Sequence, residues 1–491
     1  MSKIEAVCHH LSQVLPDKVI LPNQAEYSAF KTSYFSQQEQ ELSPACVVTP
    51  SSTADVATAI QVLVAHDVPF AVRGGGHTLN AGAANIQSGI TIDLRLLNQI
   101  SLNEDQSVAS VGGGATWDDV YSYLDQFGLA VAGSRDGQIG VGGLILGGGI
   151  SYFSGTRGLV CDNVENFEVI LATGEVVNAN SEENRGLWIA LKGGSGNFGI
   201  VTRFDLRTWR QDKFYGGVVV SSVETIDAQL QAFADLAADF DPHIAIILSV
   251  GWNQILRGSL AFSSLYYTGD NNDNPEAVRP FTQVQPQYLN TMRVASLKEF
   301  AVEMGKHSIP GARNQFATTT FRVRLALIEE VYHIWRQSVD TVSLIEGLNW
   351  ALVFQPIPPA FLQAGEQQQQ KQQGSNSKPN TSSNCLGLRS SDGPHVLLLL
   401  SYNWQKKDDD EIVTAAAQKF INDVDAASQR AGLFSPFRYL NYAAAWQDPI
   451  AGYGEESVRH LEDVSRRYDP MGVFQRLCPG GFKVFKTERE A

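Results

Sequence analysis

Three consecutive glycines set between two apolar runs limit this chain more than any other feature. Arg73-Gly74-Gly75-Gly76-His77-Thr78 follows Val68-Pro69-Phe70-Ala71-Val72, and a second apolar run begins about fifteen residues later at 89–94. Glycines cannot fill a core, but they tolerate positive φ and let the backbone come close to a ligand with no side chain in the way. Successive amides in such a turn point inward as an anion-binding nest. The arginine supplies charge and the histidine is presented to whatever is bound. On these residues alone, a plain strand-to-strand turn with a solvated histidine stays open as the alternative.

Further glycine loops follow, and the count of 43 glycines is concentrated before residue 200. The run 107–111 reads as a strand and ends in Gly112-Gly113-Gly114, after which Thr116-Trp117-Asp118-Asp119 starts a helix. The densest stretch spans 133–149, where Ile, Val and Leu separate the glycines. Flexible linkers carry Ser and Gln in those places, so this stretch reads as an anchored ligand loop. Residues 194–199 form a literal GxGxxG. A dinucleotide fingerprint must follow a strand and open a helix. Here the preceding residues look helical and 200–206 looks like a strand, so nicotinamide binding through this motif is rejected.

At 491 residues the chain is too long for one ordinary core, which predicts two domains. The order of predicted elements in the first part, with strands at 44–50, 89–94, 107–111, 167–171 and 175–177 and a helix near 56–64, is α+β rather than a regular βαβ repeat. After about residue 210 the texture changes. Strands are predicted at 216–222, 243–252, 259–268 and 315–321, and helices at 225–240, 324–342 and 408–431. This is the pattern of an antiparallel sheet backed by helices. A glutamine-rich tract within 364–383 reads as a disordered surface loop.

A net charge of −15, with no basic run interleaved with aromatics, argues against a nucleic-acid partner. No window approaches the ~18 apolar residues of a membrane span. Residues 1–10 lack the apolar core of a signal peptide, which gives a cytoplasmic expectation. Cys8, Cys46, Cys161, Cys385 and Cys478 are scattered, without a CxxC pair, and read as isolated buried thiols. A Cys8–Cys46 bridge is the alternative for an exported protein. The nine histidines form no close-spaced set, so no metal site is predicted.

Together, Arg73 to His77, Gly140-Val141-Gly142-Gly143, Gly147-Gly148-Gly149 and Gly196-Asn197-Phe198-Gly199-Ile200-Val201-Thr202 resemble the FAD domain of berberine-bridge-enzyme-like oxidoreductases. These belong to the vanillyl-alcohol-oxidase/p-cresol-methylhydroxylase (PCMH) superfamily. Tyr439-Leu440-Asn441-Tyr442, Gln447-Asp448-Pro449-Ile450 and Tyr468-Asp469-Pro470-Met471-Gly472-Val473-Phe474 resemble the family's closing segment. The likeness is greatest to fungal members encoded with secondary-metabolite pathways. It implies an FAD-binding domain over 1–210, a substrate domain over 211–430, and a segment over 431–491 that returns to the cofactor. It also implies a monomer acting on a small molecule with O2.

The resemblance assigns roles residue by residue. His77 matches the histidine joined covalently to the flavin, and Arg73, Gly74, Gly75, Gly76 and Thr78 match the pyrophosphate loop. Ser134, Ile139, Gly140, Gly142, Gly143 and Gly147 match the loop along the cofactor, with Ile139 at the position controlling oxygen access. Asn197, Gly199, Ile200 and Val201 match its further wall. Asn441 and Tyr442 match the pair facing the ring from the substrate side. Tyr442 is the expected base, and since a free tyrosine titrates near about pH 10, it needs a neighbouring positive charge or hydrogen bonds from the flavin side. Many relatives carry a cysteine as a second tether where this chain has Asp136. A single tether through His77 is therefore expected, with Asp136 as a further catalytic candidate.

Overall fold

A computed structural model describes residues 2–269, 274–373 and 383–485, with side chains at 368–373 left aside. Among the described residues the chain forms three main sheets. The first runs in the order Val19–Ile20, Cys46–Val48, Ile90–Asp93, Phe70–Arg73. Its last three strands are parallel. The helix Thr53–Ala65 crosses between Cys46–Val48 and Phe70–Arg73 and buries Val56, Ala59, Ile60 and Leu63. It starts where it does because Ser52 and Asp55 close a reciprocal capping box. Strand Phe70–Arg73 ends at the glycine triplet, so the sheet delivers the His77 loop to its edge.

The second sheet is antiparallel, in the order Ile100–Leu102, Val108–Gly112, Ile200–Arg207, Val164–Ile170, Val176–Asn180. The helix Arg185–Leu191 precedes the GxGxxG and strand Ile200–Arg207 follows it. The element order is helix, loop, strand, as the sequence reading required for rejecting a Rossmann turn.

The third sheet has nine strands and spans 214–435. Its centre is Gly258–Tyr267, Ile244–Asn253, Asn349–Ile357, His395–Trp404 and Arg313–Arg322 in neighbouring order. Helices Ile226–Ala238, Leu325–Val342 and Asp410–Arg430 cover one face. Successive strand residues point to opposite faces. Ile246, Leu248, Leu398, Leu400 and Ala317 therefore join the helices, while Ile247, Leu399, Ser401, Asn403 and Phe316 face a cavity on the other side.

The closing segment crosses back to the first two sheets. Helix Glu455–Tyr468 lies against the helix Arg185–Leu191, with His460 Nε2 3.0 Å from the Gly186 carbonyl. Further on, the Phe70 amide donates to the Leu477 carbonyl at 2.7 Å.

Two expectations are corrected. Cys8 and Cys46 form a disulfide between the first helix, Lys3–Val14, and the first parallel strand, so only Cys161, Cys385 and Cys478 are free. The spacing along the chain says nothing about this pairing, which depends on the helix packing over the sheet. The glutamine tract is not a loop up to 373, because it continues the helix Pro359–Gln373. Glutamine is a good helix former, and the apolar start of that helix seeds it. The remainder of the expected loop, 374–382, lies outside the described residues.

Candidate functional site

A cavity of about 540 Å³ lies between the glycine loops, the inner face of the nine-stranded sheet and the closing segment. Gly74, Gly75, Gly76, His77, Thr78, Ser134, Asp136, Ile139, Gly140, Gly142, Gly143, Gly199, Ile200, Val201, Asn441 and Tyr442 all line it. Residues dispersed over 370 positions of sequence are thus brought to one wall system.

The glycines make this possible by backbone contact. A Cβ on Gly75 would sit 2.6 Å from Gly140 Cα, and one on Gly113 would sit 2.5 Å from the Val201 carbonyl oxygen. Three loops therefore touch main chain to main chain. Gly76 has φ +75, and the Arg73 side chain fills the space behind it. Gly143 and Gly196 face nothing within 4 Å, which leaves the cavity open along their Cα atoms.

His77 comes from the first loop. Its ring stacks on Phe35 at 3.9 Å between centroids. Its Nε2 is buried without a hydrogen-bond partner. Burial pushes the imidazole below its ordinary value, opposed by the Asp136 carboxylate. Burial thus disfavours the charged ring, and a nitrogen without a hydrogen-bond partner lies in a residue of the cavity wall.

Asp136 does not present a free carboxylate. One oxygen accepts the Gln138 amide at 2.9 Å and the other accepts the Ser308 hydroxyl at 2.7 Å. The side chain thus ties the loop to Ser308 while Asp136 also lines the cavity. Ser134 supports the same turn, its hydroxyl accepting the Asp136 amide at 3.0 Å and its carbonyl accepting the Tyr121 hydroxyl at 2.6 Å.

Arg73 lies behind the loop. Its guanidinium turns away from the cavity, donating to the Phe30 carbonyl (3.3 Å), Ser33 Oγ (2.9 Å) and the Ser33 carbonyl (2.8 Å), and stacks 3.8 Å from the Tyr34 ring centroid. It braces the loop from behind. Asn197 is also fully buried, with its amide donating to Gly194 and Phe482 carbonyls at 2.7 and 2.9 Å. It fastens the closing segment instead of lining the cavity. Asn441 spends both amide protons on the Leu144 carbonyl and the Tyr439 hydroxyl, and its Oδ1 lies where a Cβ on Gly147 would be. Gly147 is thereby required by packing, and Asn441 positions the 144–147 backbone.

Tyr442 stands at the substrate end. Its hydroxyl accepts from Arg135 Nη2 at 2.8 Å and from Gln355 Nε2 at 3.2 Å, while Arg135 Nη1 donates to Gln355 Oε1 at 2.8 Å. Phe316 and Tyr439 hold the ring edge-on at 5.6 and 4.8 Å. The Tyr152 hydroxyl fixes the Arg135 carbonyl at 2.9 Å. Sequence reasoning asked for a positive charge beside Tyr442 but did not place Arg135 there. The triangle joins a loop, a central strand and the closing segment, and no local pattern couples 135, 355 and 442. Phe35 was missed for the same reason.

The residues fit FAD on their own terms. There is an orphaned buried nitrogen on His77, a cradle whose glycines a side chain would fill, and a cavity lined both by the glycine loops and by the nine-stranded sheet. A family model for an FAD binding domain matches residues 44–180. The FAD-dependent monooxygenase tpcD of Cochliobolus heterostrophus is 36% identical over 94% of this chain and 89% of its own length. Among solved structures, Physcomitrella patens BBE-like 1 covers 98% of this chain and 100% of its own at TM-score 0.77 and 16% identity. Acremonium strictum glucooligosaccharide oxidase, described with a 6-S-cysteinyl, 8α-N1-histidyl FAD, covers 99% of this chain and 100% of its own at TM-score 0.76 and 19% identity. The chain belongs to the FAD-dependent oxidoreductases of fungal type that carry this FAD binding domain, on the fold of the berberine-bridge-enzyme-like oxidases.

Proposed function

We propose that the protein is an FAD-dependent oxidase acting, as a monomer, on a small organic substrate of secondary metabolism. When bound, FAD would supply the electron sink for a hydride from a substrate carbon, with O2 as the final acceptor and hydrogen peroxide as the product. The observation that carries this reading is the Arg135–Gln355–Tyr442 triangle, in the cavity that His77 also lines. Tyr442 takes the proton that the substrate loses from oxygen or nitrogen. Arg135 keeps a cation against that phenol oxygen, and Gln355 fixes the angle between them. Ile247, Phe316 and Leu399 hold an apolar body, while Asn314, Ser401 and Asn403 offer polar contacts. Ile139, a β-branched residue on the cavity wall, controls the approach of oxygen.

His77 is the single covalent anchor in this proposal, since Asp136 occupies the place of a second tether and is committed to Gln138 and Ser308. Flavin in the wild-type protein then stays with the polypeptide after acid precipitation and leaves it in His77→Ala. Flavin that remains acid-stable in that variant overturns the assignment.

The reaction type is tested by an anaerobic screen of hydroxylated aromatic compounds for loss of the visible flavin band, followed by admission of air. Peroxide equal to substrate consumed supports the oxidase. A second reading follows from tpcD, named as a monooxygenase. In that case one atom of labelled O2 enters the product. Band loss without peroxide or label points to a dehydrogenase with another acceptor.

A further inference from the structure

With Arg73 spent behind its loop, the cavity lacks the cation that a nest of three glycines was expected to work with. FAD has one strongly anionic part, its diphosphate, while the two ring systems and the sugar-derived chains are neutral. Among the described residues, the lysine and arginine that line the cavity are Arg135, engaged with Tyr442 and Gln355, and Lys483.

Lys483 reaches the cavity from the closing segment. Its ammonium donates to the Phe474 carbonyl at 3.0 Å, which uses one of its three protons. Among the described residues it makes no ion pair. The carboxylate that influences it, Asp469, is occupied by the Val473 and Phe474 amides at 2.8 Å each. Burial pushes the ammonium below the ordinary lysine value, with Cys478 and Asp469 opposing. The segment that carries it is fixed at two points just before it. Asn197 donates to the Phe482 carbonyl, and a Cβ on Gly480 would lie 1.7 Å from the Gly82 carbonyl oxygen. A half-buried cation is thus held on a short, anchored backbone, with no ion-pair partner among the described residues, on the wall of the cavity that Gly74 to Gly76 open into.

We propose that Lys483 is a cofactor-binding residue whose ammonium faces the diphosphate of FAD. It takes the role that the position of Arg73 in the sequence suggests for that residue. The inference rests on the chain being an FAD protein, not on its being an oxidase.

The test removes the tether, so that cofactor exchanges freely. In His77→Ala protein, binding of FAD and of riboflavin, which lacks phosphate, is titrated by flavin fluorescence with and without Lys483→Met or Lys483→Arg. The expected result is FAD binding weakened about tenfold or more in Lys483→Met, riboflavin unchanged, FAD binding kept in Lys483→Arg, and a flatter salt dependence in Lys483→Met. Equal loss of both ligands, or no loss of FAD, overturns the proposal. Where Lys483→Met does not fold, a salt-independent affinity for FAD in His77→Ala overturns it instead. Where His77→Ala retains acid-stable flavin or binds none, the yield of linked flavin in Lys483→Gln against Lys483→Arg decides in the tethered protein. Equal yields sink Lys483, a lower yield in Lys483→Gln supports it, and a colourless wild type sinks the flavoprotein reading.

Discussion

Tyr442 has two hydrogen-bond donors on its oxygen and one of them is a cation, which makes Arg135 the residue most exposed to a functional test. Arg135→Met should lower the rate of flavin reduction by substrate by about a hundredfold, in the range typical of a lost acid–base contribution, with Arg135→Lys recovering part of it. Asp136→Asn should leave that rate nearly unchanged, because both carboxylate oxygens are engaged outside the reaction. Rapid mixing under nitrogen separates the two, and a large loss in Asp136→Asn would return that residue to the chemistry. Glu39 gives a pH signature of a different kind. Burial raises its carboxyl to about 7, against amides of Ala84, Gly82 and Asn85 and the charge of Arg73. Between roughly pH 4.5 and 7 the folded chain holds this proton and the unfolded chain does not, so stability falls as pH rises through that window. Glu39→Gln should flatten that part of the melting-temperature curve. Glu39 and Arg135 were invisible as partners in the sequence, since the groups their side chains bond lie at least 43 positions away. Lys483 is the near exception, bonding Phe474 nine residues back, yet the cavity it lines is assembled by distant loops.

At the level of loops and strands, local pattern carried far more. The glycine triplet at 74–76, the capped helix Thr53–Ala65 and the reversed order around Gly194 to Gly199 were all readable, because each depends on neighbours in sequence. Strands Asn349–Ile357 and His395–Trp404 were not read. One face meets the helices and the other the apolar part of the cavity, so the run Val396 to Leu400 shows no polar alternation. Gly75→Ala tests the loop contact directly. The new methyl group meets Gly140 backbone at 2.6 Å, where nothing flexible can yield. We expect a loss of about 1–3 kcal/mol and of bound flavin, read by urea unfolding and visible absorbance. The Cys8–Cys46 link belongs to the same scale. Denatured, unreduced protein from its native host should show three reactive thiols, Cys161, Cys385 and Cys478, and five after reduction. Five from the start would mean that the pair stays open and that the protein works in a reducing compartment.

Across the whole molecule, the cavity is bounded by all three sheets or by segments that join them, so bound cofactor would add a shared wall to halves that already pack through Ile357, Phe361 and Leu397 against the core of the first half. Stripping FAD, or preparing the protein without it, should lower the melting temperature and separate the unfolding of 214–435 from that of the remainder in calorimetry. A single transition at an unchanged temperature would show that the halves hold together by themselves. The closing segment adds a constraint in time. The carbonyl of Leu477 pairs with Phe70, Gly480 packs on Gly82, and Lys483 is among the residues lining the cavity. During synthesis the His77 loop emerges some four hundred residues ahead of these partners. For most of translation it is therefore a half-built mould, unable to grip what it will carry. Capture of the cofactor, and any bond made to it, must wait until residues past 480 have cleared the ribosome.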